Sequence, residues 1–259
     1  MQAFDYSRPT SIAEVKSALA AGGQALAGGQ SLLAAMKLGL ASPDKLVDLS
    51  GVTALKGITV AGGAVKIGAM TTHAEVAASA EVKKAIAALA DLASHIGDRQ
   101  VRNRGTLGGS LANADPAACY PAAVLGLGAT VHTDQRDIAA DDFFKGLFET
   151  ALQSGEMITA VSFPVPEKAG WQKFRQPASR FSIVGVFVSK GAKGVRVAVT
   201  GAGPCVFRAA DLEKRLAANW SAAALTGATV KADGLNSDLH GSAEYRAALI
   251  PVLAARAVG

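Results

Sequence analysis

Residues 27–33 read AGGQSLL and join a predicted strand over 24–27 to a predicted helix that begins at Leu32. The helix is expected because apolar residues recur at helical spacing from Leu32 onward. Glycines at such a turn let backbone N–H groups converge on an anion, and the helix N-terminus adds a favourable dipole. The segment therefore predicts a phosphate-binding loop. It matches neither G-x-G-x-x-G nor the P-loop pattern, and an ordinary helix-capping turn is the alternative.

A second glycine-rich segment, predicted as a loop over 97–109, contains three arginines, Thr106 and paired glycines, and Ser110 follows it. Two independent anion-binding loops in one chain imply a pyrophosphate held between them, as in a dinucleotide. Glycines and hydroxyls are the better candidates for contact, because backbone N–H and hydroxyl donors approach a diphosphate without burying an unpaired charge. For the arginines, a solvated loop is the alternative.

The surrounding patterns predict a mixed α and β chain with a domain boundary near residue 168. A hydroxyl cap at Thr10-Ser11 followed by Glu14 indicates a helix start, and the glycine pair 62–63 indicates a tight hairpin. The expected strands are 3–5, 24–27, 45–49, 58–61, 64–68, 129–133, 137–139, 158–163, 181–189 and 195–201. The expected helices are 11–21, 71–79, 81–95, 208–216 and 242–255, with an apolar segment at 111–127 and a linker at 164–170.

The composition limits the function classes. Only two cysteines occur, Cys119 and Cys205, without a CxxC pair or metal-ligand spacing to histidine, so we expect no iron–sulfur cluster or zinc in this chain. The net charge of +5 is dispersed and aromatics are only 5%, which favours an acidic partner or cofactor over nucleic acid. With no signal-like start and no apolar run near about 18 residues, we expect a cytoplasmic protein without a transmembrane segment.

Three segments together resemble one known family. They are AGGQSLL at 27–33, RQVRNRGTLGGSLANADPAA at 99–118 and KFRQPASRF at 173–181. In order and spacing they are similar to the FAD-binding medium subunit of the xanthine dehydrogenase and carbon monoxide dehydrogenase family, the molybdenum hydroxylases. The resemblance implies an α+β chain. A two-lobed FAD-binding domain of the vanillyl-alcohol-oxidase (PCMH) type would span 1–168, with lobes at about 1–55 and 56–168, followed by a small flavoprotein domain with an antiparallel sheet and helices over 169–259.

The resemblance also implies FAD-contacting positions, and it implies neither a catalytic residue nor a metal ligand. The first loop would wrap the pyrophosphate and the ribityl side, with hydroxyls and a glycine of the second loop completing the site from the opposite lobe. Asp115 would position this loop or the flavin tail. Apolar contacts to the flavin are implied at three positions for which core packing is the alternative. The implied residues are Ala27, Gly28, Gly29, Gln30, Ser31, Leu32, Ile96, Gly97, Thr106, Gly109, Ser110, Asp115, Ile158, Lys173 and Phe181.

Three side chains have particular expectations. Lys173 matches a family lysine that contacts the flavin, where a cation would stabilise negative charge that develops on reduction; an ordinary surface lysine is the alternative. Phe181 matches an aromatic residue near the ring and is a candidate gate or stacking residue, or else core. Cys119 stands where many relatives have a flavin-contacting aspartate. Without an adjacent histidine it predicts a small buried residue rather than a nucleophile.

The resemblance implies that this chain is one part of a larger oxidoreductase. A large molybdenum-cofactor subunit would oxidise the substrate, and a small subunit with [2Fe-2S] clusters would pass electrons to FAD here, for transfer to an external acceptor. A dimer of heterotrimers is implied. The alternatives are a self-sufficient FAD-dependent oxidase of the same fold, for which the last 90 or so residues look too few, and a non-catalytic dinucleotide-binding module.

Overall fold

Three short parallel strands form the first sheet of the computed structural model, which describes residues 2–259. The elements are β1 (Asp5–Ser7), α1 (Ile12–Ala20), β2 (Gln24–Leu26), α2 (Leu32–Lys37) and β3 (Lys45–Asp48). The strand order is β1-β3-β2, with both outer strands parallel to β3. Ser11 caps α1 by accepting from the Glu14 N–H, and the Glu14 side chain accepts from the Ser11 N–H. The predicted helix start is therefore confirmed. The first strand lies two residues later than predicted.

A five-stranded antiparallel sheet follows two one-turn 3₁₀ helices, Leu49–Gly51 and Thr53–Leu55. Its order is β4-β5-β10-β6-β7, and β8 and β9 pair separately. The strands are β4 (Ile58–Ala61), β5 (Ala64–Gly68), β6 (Thr130–Thr133), β7 (Asp137–Ala139), β8 (Phe144–Gly146), β9 (Glu149–Thr150) and β10 (Ile158–Pro164). The predicted hairpin between β4 and β5 is confirmed. Gly62 and Gly63 both have positive φ, 57° and 72°, as a two-residue turn of this hand requires.

Seven helices lie between β5 and β8, and they correct the sequence prediction. They are α3 (His73–Ala78), α4 (Ala80–Ala85), α5 (Ala87–Ser94), α6 (Arg99–Arg104), α7 (Leu107–Asn113), α8 (Tyr120–Gly126) and α9 (Ala140–Phe143). The two helices predicted over 71–95 are three, because Ser79 caps a new helix and Ile86 leaves the helical conformation. The loop predicted over 97–109 is wrong. Most of it is helical, since Asp98 caps α6 and Thr106 caps α7. The glycines and arginines of the segment had indicated a loop.

The last sheet is an antiparallel meander with two helices after it. The elements are β11 (Lys168–Arg175), β12 (Ser182–Gly191), β13 (Gly194–Thr200), β14 (Phe207–Arg208), α10 (Ala210–Ala218), a 3₁₀ turn at Ala222–Leu225, and α11 (Ala243–Val258). The linker predicted over 164–170 is wrong in its second half, because β11 already begins at Lys168. Its register with β12, in which Lys168 lies opposite Lys190, continues to Phe174 before it shifts. The domain boundary near 168 stays a prediction.

The helical layer packs on both antiparallel sheets. One buried cluster joins Phe163 of β10 and Tyr120 of α8 to Trp171 and Phe187 of the last sheet. A hydrogen-bonded tie runs along the same boundary, where the buried Thr200 hydroxyl contacts the carbonyl oxygens of Pro116 and Ala118 at 2.8 and 2.6 Å. The last sheet therefore holds the segment between α7 and α8 in place.

Thr200→Val is expected to lower the free energy of unfolding by about 1–3 kcal/mol, because the isosteric side chain leaves a buried carbonyl short of its donor. Urea denaturation should show a lower midpoint with an unchanged slope. Thr59→Val, a matched change on exposed β4, should stay within about 0.5 kcal/mol of the parent. Equal effects at both sites would show that the tie contributes nothing.

A buried carboxylate fixes the turn that precedes β10. Glu156 accepts hydrogen bonds from the Thr133 hydroxyl, the Gln153 N–H and two nitrogens of Arg136, at 2.7 to 3.1 Å. The Arg136 side chain, together with these other donors, lowers the pKa of Glu156 to about 2. The network therefore links the β6–β7 turn to the start of the central strand β10 at Ile158.

Glu156→Gln should destabilise the fold at pH 7 by about 2 kcal/mol, a figure reduced for the solvent around half-exposed Arg136. A lowered folded-state pKa stabilises the protein above the carboxylate's ordinary pKa near 4.5. That stabilisation is lost as pH falls toward 2. Thermal unfolding of both proteins between pH 7 and pH 2 checks this. A difference in unfolding temperature between the two proteins that stayed constant down to pH 2 would contradict this explanation.

Candidate functional site

The first predicted anion loop lies between β2 and α2, as the sequence indicated. Gly29 has a φ of +71°, which favours glycine, and the Gln30 side-chain amide donates to the Gly28 carbonyl oxygen at 3.1 Å. Ser31 precedes α2 and its side chain forms no cap bond, whereas the Leu33 N–H in the first turn donates to the Gly29 carbonyl at 3.2 Å. The segment Ala27–Leu32 thus presents backbone donors with little side-chain bulk.

The second anion segment is a helix junction rather than a loop. Helix α6 ends at Arg104, Gly105 continues in extended conformation, and Thr106 caps α7 by accepting from the Gly109 N–H at 3.1 Å. Ser110 follows in the first turns of α7. The predicted donors Thr106, Gly109 and Ser110 therefore lie together at the start of one helix.

The two segments are in direct contact. A Cβ atom at Gly28 would overlap the carbonyl oxygen of Arg104, and one at Gly109 would stand 3.2 Å from the Ala27 Cβ. Only glycine lets these backbones approach so closely. The structure thus brings together the two segments, 70 or more residues apart, that the sequence singled out for one anionic group.

The sequence analysis missed the residues that lie beneath this helix junction, Ala69 and His73, which we call the floor of the site. The Gly108 N–H donates to the Ala69 carbonyl at 2.8 Å, and the His73 N–H donates to Gly105 at 3.0 Å. The His73 imidazole lies directly under Gly105, where a Cβ would come within 2.5 Å of its Nε2 atom. Burial, helped by the charge of Arg102, lowers the pKa of His73 to about 4, so the floor is uncharged at neutral pH. The only sequence signal was its position directly after the Thr72 cap.

A second group of predicted residues lies beyond the start of α6. Gly97 has a φ of +52°, and Ile96 packs on the edge of the core. The Lys173 ammonium donates to the His95 carbonyl at 3.1 Å, so the structure places this lysine beside the Ile96–Gly97 segment. Phe181 has 49% of its surface exposed and follows Arg180, which itself contacts Gly97. Four of the predicted residues are therefore neighbours here.

Two predicted residues take other surroundings. Ile158 starts the central strand β10 with only 5% of its surface exposed, and its side chain belongs to the main core. Asp115 accepts from the Ala117 N–H at 2.8 Å and so shapes the turn before α8; burial raises the pKa of its carboxyl group. Cys119 is buried, as expected. Its sulfur lies 3.2 Å from the Lys173 ammonium, a contact that sequence alone did not indicate.

The arrangement suits a diphosphate with an apolar group at one end. The segment Ala27–Leu32 offers backbone N–H groups, and the start of α7, whose N–H groups are already bonded within the protein, offers the hydroxyls of Thr106 and Ser110. The uncharged His73 adds no competing charge. Within residues 2–259, no group of three or more His, Cys, Asp or Glu side chains is placed to hold a metal ion.

Two cavities lie away from this junction. One, of about 510 Å³, is lined by residues of the α4–α5 turn, the stretch before β11 and the end of α11. The other, of about 550 Å³, runs beside β14 and residues 229–235. Neither borders a predicted cofactor contact.

The fold and the two-segment site define an FAD-binding domain of oxidoreductases. The chain belongs to the family described as the FAD binding domain in molybdopterin dehydrogenase, whose model matches residues 2–166. It is 36% identical over 209 residues to the nicotine 6-hydroxylase medium subunit of Paenarthrobacter nicotinovorans, which covers 74% of this chain and 73% of that protein. The α+β fold and the family expected from the sequence are confirmed.

Solved structures show the same architecture over nearly the whole chain. A chain of quinoline 2-oxidoreductase from Pseudomonas putida 86 matches with a TM-score of 0.89 and 31% identity, covering 99% of this chain and 96% of that one. A chain of carbon monoxide dehydrogenase from Hydrogenophaga pseudoflava matches with a TM-score of 0.85, 31% identity and the same coverage. This chain is thus an oxidoreductase subunit with the fold of these medium subunits. None of the helices within residues 2–259 is both long and apolar enough to cross a membrane.

Gly28→Ala should force the two segments apart, because the new methyl group meets the backbone of Arg104 rather than a movable side chain. We expect FAD occupancy of the purified protein to fall at least tenfold, measured by absorbance at the flavin band against total protein. Gly146→Ala is the matched control, since its methyl group would contact only the flexible end of Glu149. Full flavin content in Gly28→Ala would show that close approach of these backbones is not required.

Proposed function

We propose that this chain holds FAD with the pyrophosphate between Ala27–Leu32 and the start of α7. The observation that carries the proposal is the glycine contact between Gly28 and the Arg104–Gly105 backbone, which brings Ala27–Leu32 against the start of α7. From the side of α7, Thr106 and Ser110 would contribute hydroxyl donors, and Gly109, whose N–H is bonded to Thr106, would allow the close approach. Asp115 supports this side by shaping the turn that follows α7.

The flavin end of the cofactor would lie beyond α6. Ile96 and Gly97 supply a wall, Lys173 a cation, and half-exposed Phe181 a candidate stacking or gating side chain. Ile158 is proposed as an apolar contact at the start of β10. Its near-complete burial supports a rigid base more than a movable contact. No general acid or base toward an organic substrate is needed from any of these residues.

We further propose that the chain works as the flavin subunit of a molybdenum hydroxylase complex. It would accept electrons from [2Fe-2S] clusters of a small partner subunit, after a large molybdenum-cofactor subunit has oxidised the substrate. Relatives called medium subunit or medium chain, in nicotine 6-hydroxylase and carbon monoxide dehydrogenase, support a multi-subunit assembly. A dimer of such heterotrimers rests on the resemblance. Bound FAD supplies the ability to take up electrons singly and release them as a pair.

The protein's own contribution is to bind, orient and shield the cofactor. The glycine junction fixes the diphosphate, and the main core, which includes Leu107 and Leu111, holds α7 in place. A self-sufficient oxidase is less well supported, because the two described cavities lie away from the proposed flavin end. A non-catalytic dinucleotide module is the remaining alternative. It predicts bound flavin that partner subunits never reduce.

Affinity purification of this chain from its native cells tests the function. We expect two partner proteins to co-purify, with FAD, iron and molybdenum in the assembly. When candidate substrates such as aldehydes and N-heterocycles are added anaerobically, one of them should bleach the flavin band, and only when the partners are present. A colourless chain that purifies alone and takes up no added FAD would contradict the proposal. An assembly with unreducible flavin would favour the non-catalytic module.

A further inference from the structure

Three cationic side chains from three different elements converge on three consecutive carbonyl groups. Lys173 of β11 donates to the His95 carbonyl at 3.1 Å. Arg102 of α6 donates to the carbonyls of Ile96 and Gly97 at 3.1 and 3.0 Å. Arg180 donates to the same Gly97 oxygen at 3.3 Å. Two guanidinium groups thus share one acceptor, with an ammonium group close by. We call Arg102, Lys173 and Arg180 the carbonyl cation cluster.

The cluster has no carboxylate partner among residues 2–259, where none of its three members forms an ion pair. The nearest acids along the chain have other roles. Asp98 caps α6 by accepting from the Val101 N–H, and Asp91 pairs with His95 at 3.5 Å. The side chain beside Lys173 is the buried thiol of Cys119. Like charges held together without a counter-charge favour an anion.

The backbone keeps Arg180 in this arrangement at a conformational cost. Its φ is +63°, a region that side chains other than glycine adopt rarely. Hydrogen bonds of 2.9 Å from the Gln176 N–H to Phe181 and from the Arg180 N–H to Gln176 close the turn. The strained turn aims the guanidinium at Gly97.

The position of the cluster separates it from the phosphates. Gly97 and Thr106 lie at opposite ends of α6, whose six residues span about 9 Å. If the glycine junction holds the pyrophosphate, the cluster lies at the flavin end. The inference that follows therefore rests on the proposed function.

We propose that the carbonyl cation cluster stabilises the negative charge that bound FAD acquires on reduction, with Arg102 and Arg180 as residues that raise its reduction potential. Cations fixed in place before the electrons arrive need no reorganisation during transfer. The side chain that contacts Lys173 is the Cys119 thiol rather than a carboxylate. A higher potential draws electrons from the iron–sulfur partner into this chain.

The test compares midpoint potentials of FAD in the purified holoprotein, measured anaerobically by equilibration with redox dyes. Arg180→Gln removes one exposed cation, and Cys119→Asp adds a carboxylate beside Lys173. Each should shift the reduction equilibrium about tenfold toward the oxidised form, which is about 30 mV for a two-electron couple. Cys119→Ser and Lys66→Gln, the latter at an exposed position of β5, should leave the potential unchanged. High salt should shrink the Arg180→Gln shift.

Two variants keep the test decisive. If Cys119→Asp impairs folding, the exposed Arg180→Gln still reports on the cluster. Unchanged potentials in a flavin-loaded Arg180→Gln protein would overturn the inference while leaving the proposed function intact. So would an Arg180→Gln protein that keeps its potential but loses the partner subunits, because the cluster would then serve docking. A parent protein that binds no FAD would instead sink the proposed function itself.

Discussion

The backbone of Gly28 lies against the carbonyl group of Arg104 so closely that even a methyl group would overlap it. That contact joins the small parallel sheet of the N-terminal part to the helix junction of the second sheet. Everything proposed for the site depends on it, because the donors of Ala27–Leu32 and those of Thr106–Ser110 can serve one diphosphate only when the backbones touch. The helices α6 and α7, the Ala69–Gly108 hydrogen bond and the buried core beneath them maintain this approach.

Charge is distributed along the site in two distinct zones. The junction itself rests on a neutral histidine, His73, because burial disfavours the protonated imidazole. One short helix away, three cations gather around Gly97 without an acid to offset them. Phosphates can be held by backbone N–H groups that carry no net charge, whereas a redox-active ring benefits from fixed charge nearby. The two zones suit the pyrophosphate and the redox-active ring of the FAD proposed for this site.

Local chemistry in the sequence predicted a large part of the fold. The Ser11–Glu14 capping box and the Gly62-Gly63 turn were recognisable because each involves residues within a few positions of one another. The helical content of 97–109 was missed, since its glycines and arginines resemble a loop and the caps Asp98 and Thr106 are single residues. Contacts such as Lys173 with Cys119, or Arg180 with Gly97, join positions 54 and 83 residues apart. No local pattern reveals such pairs.

The central claim is that both glycine segments close on one FAD molecule. Hydrogen exchange followed by mass spectrometry, with and without saturating FAD, tests it most directly because peptides from the two segments report on their backbone N–H groups separately. The account predicts that peptides covering 27–33 and 105–111 are protected together, with no change beside β14 and residues 229–235. Protection of only one segment, or protection confined to the cavity beside β14, would contradict it.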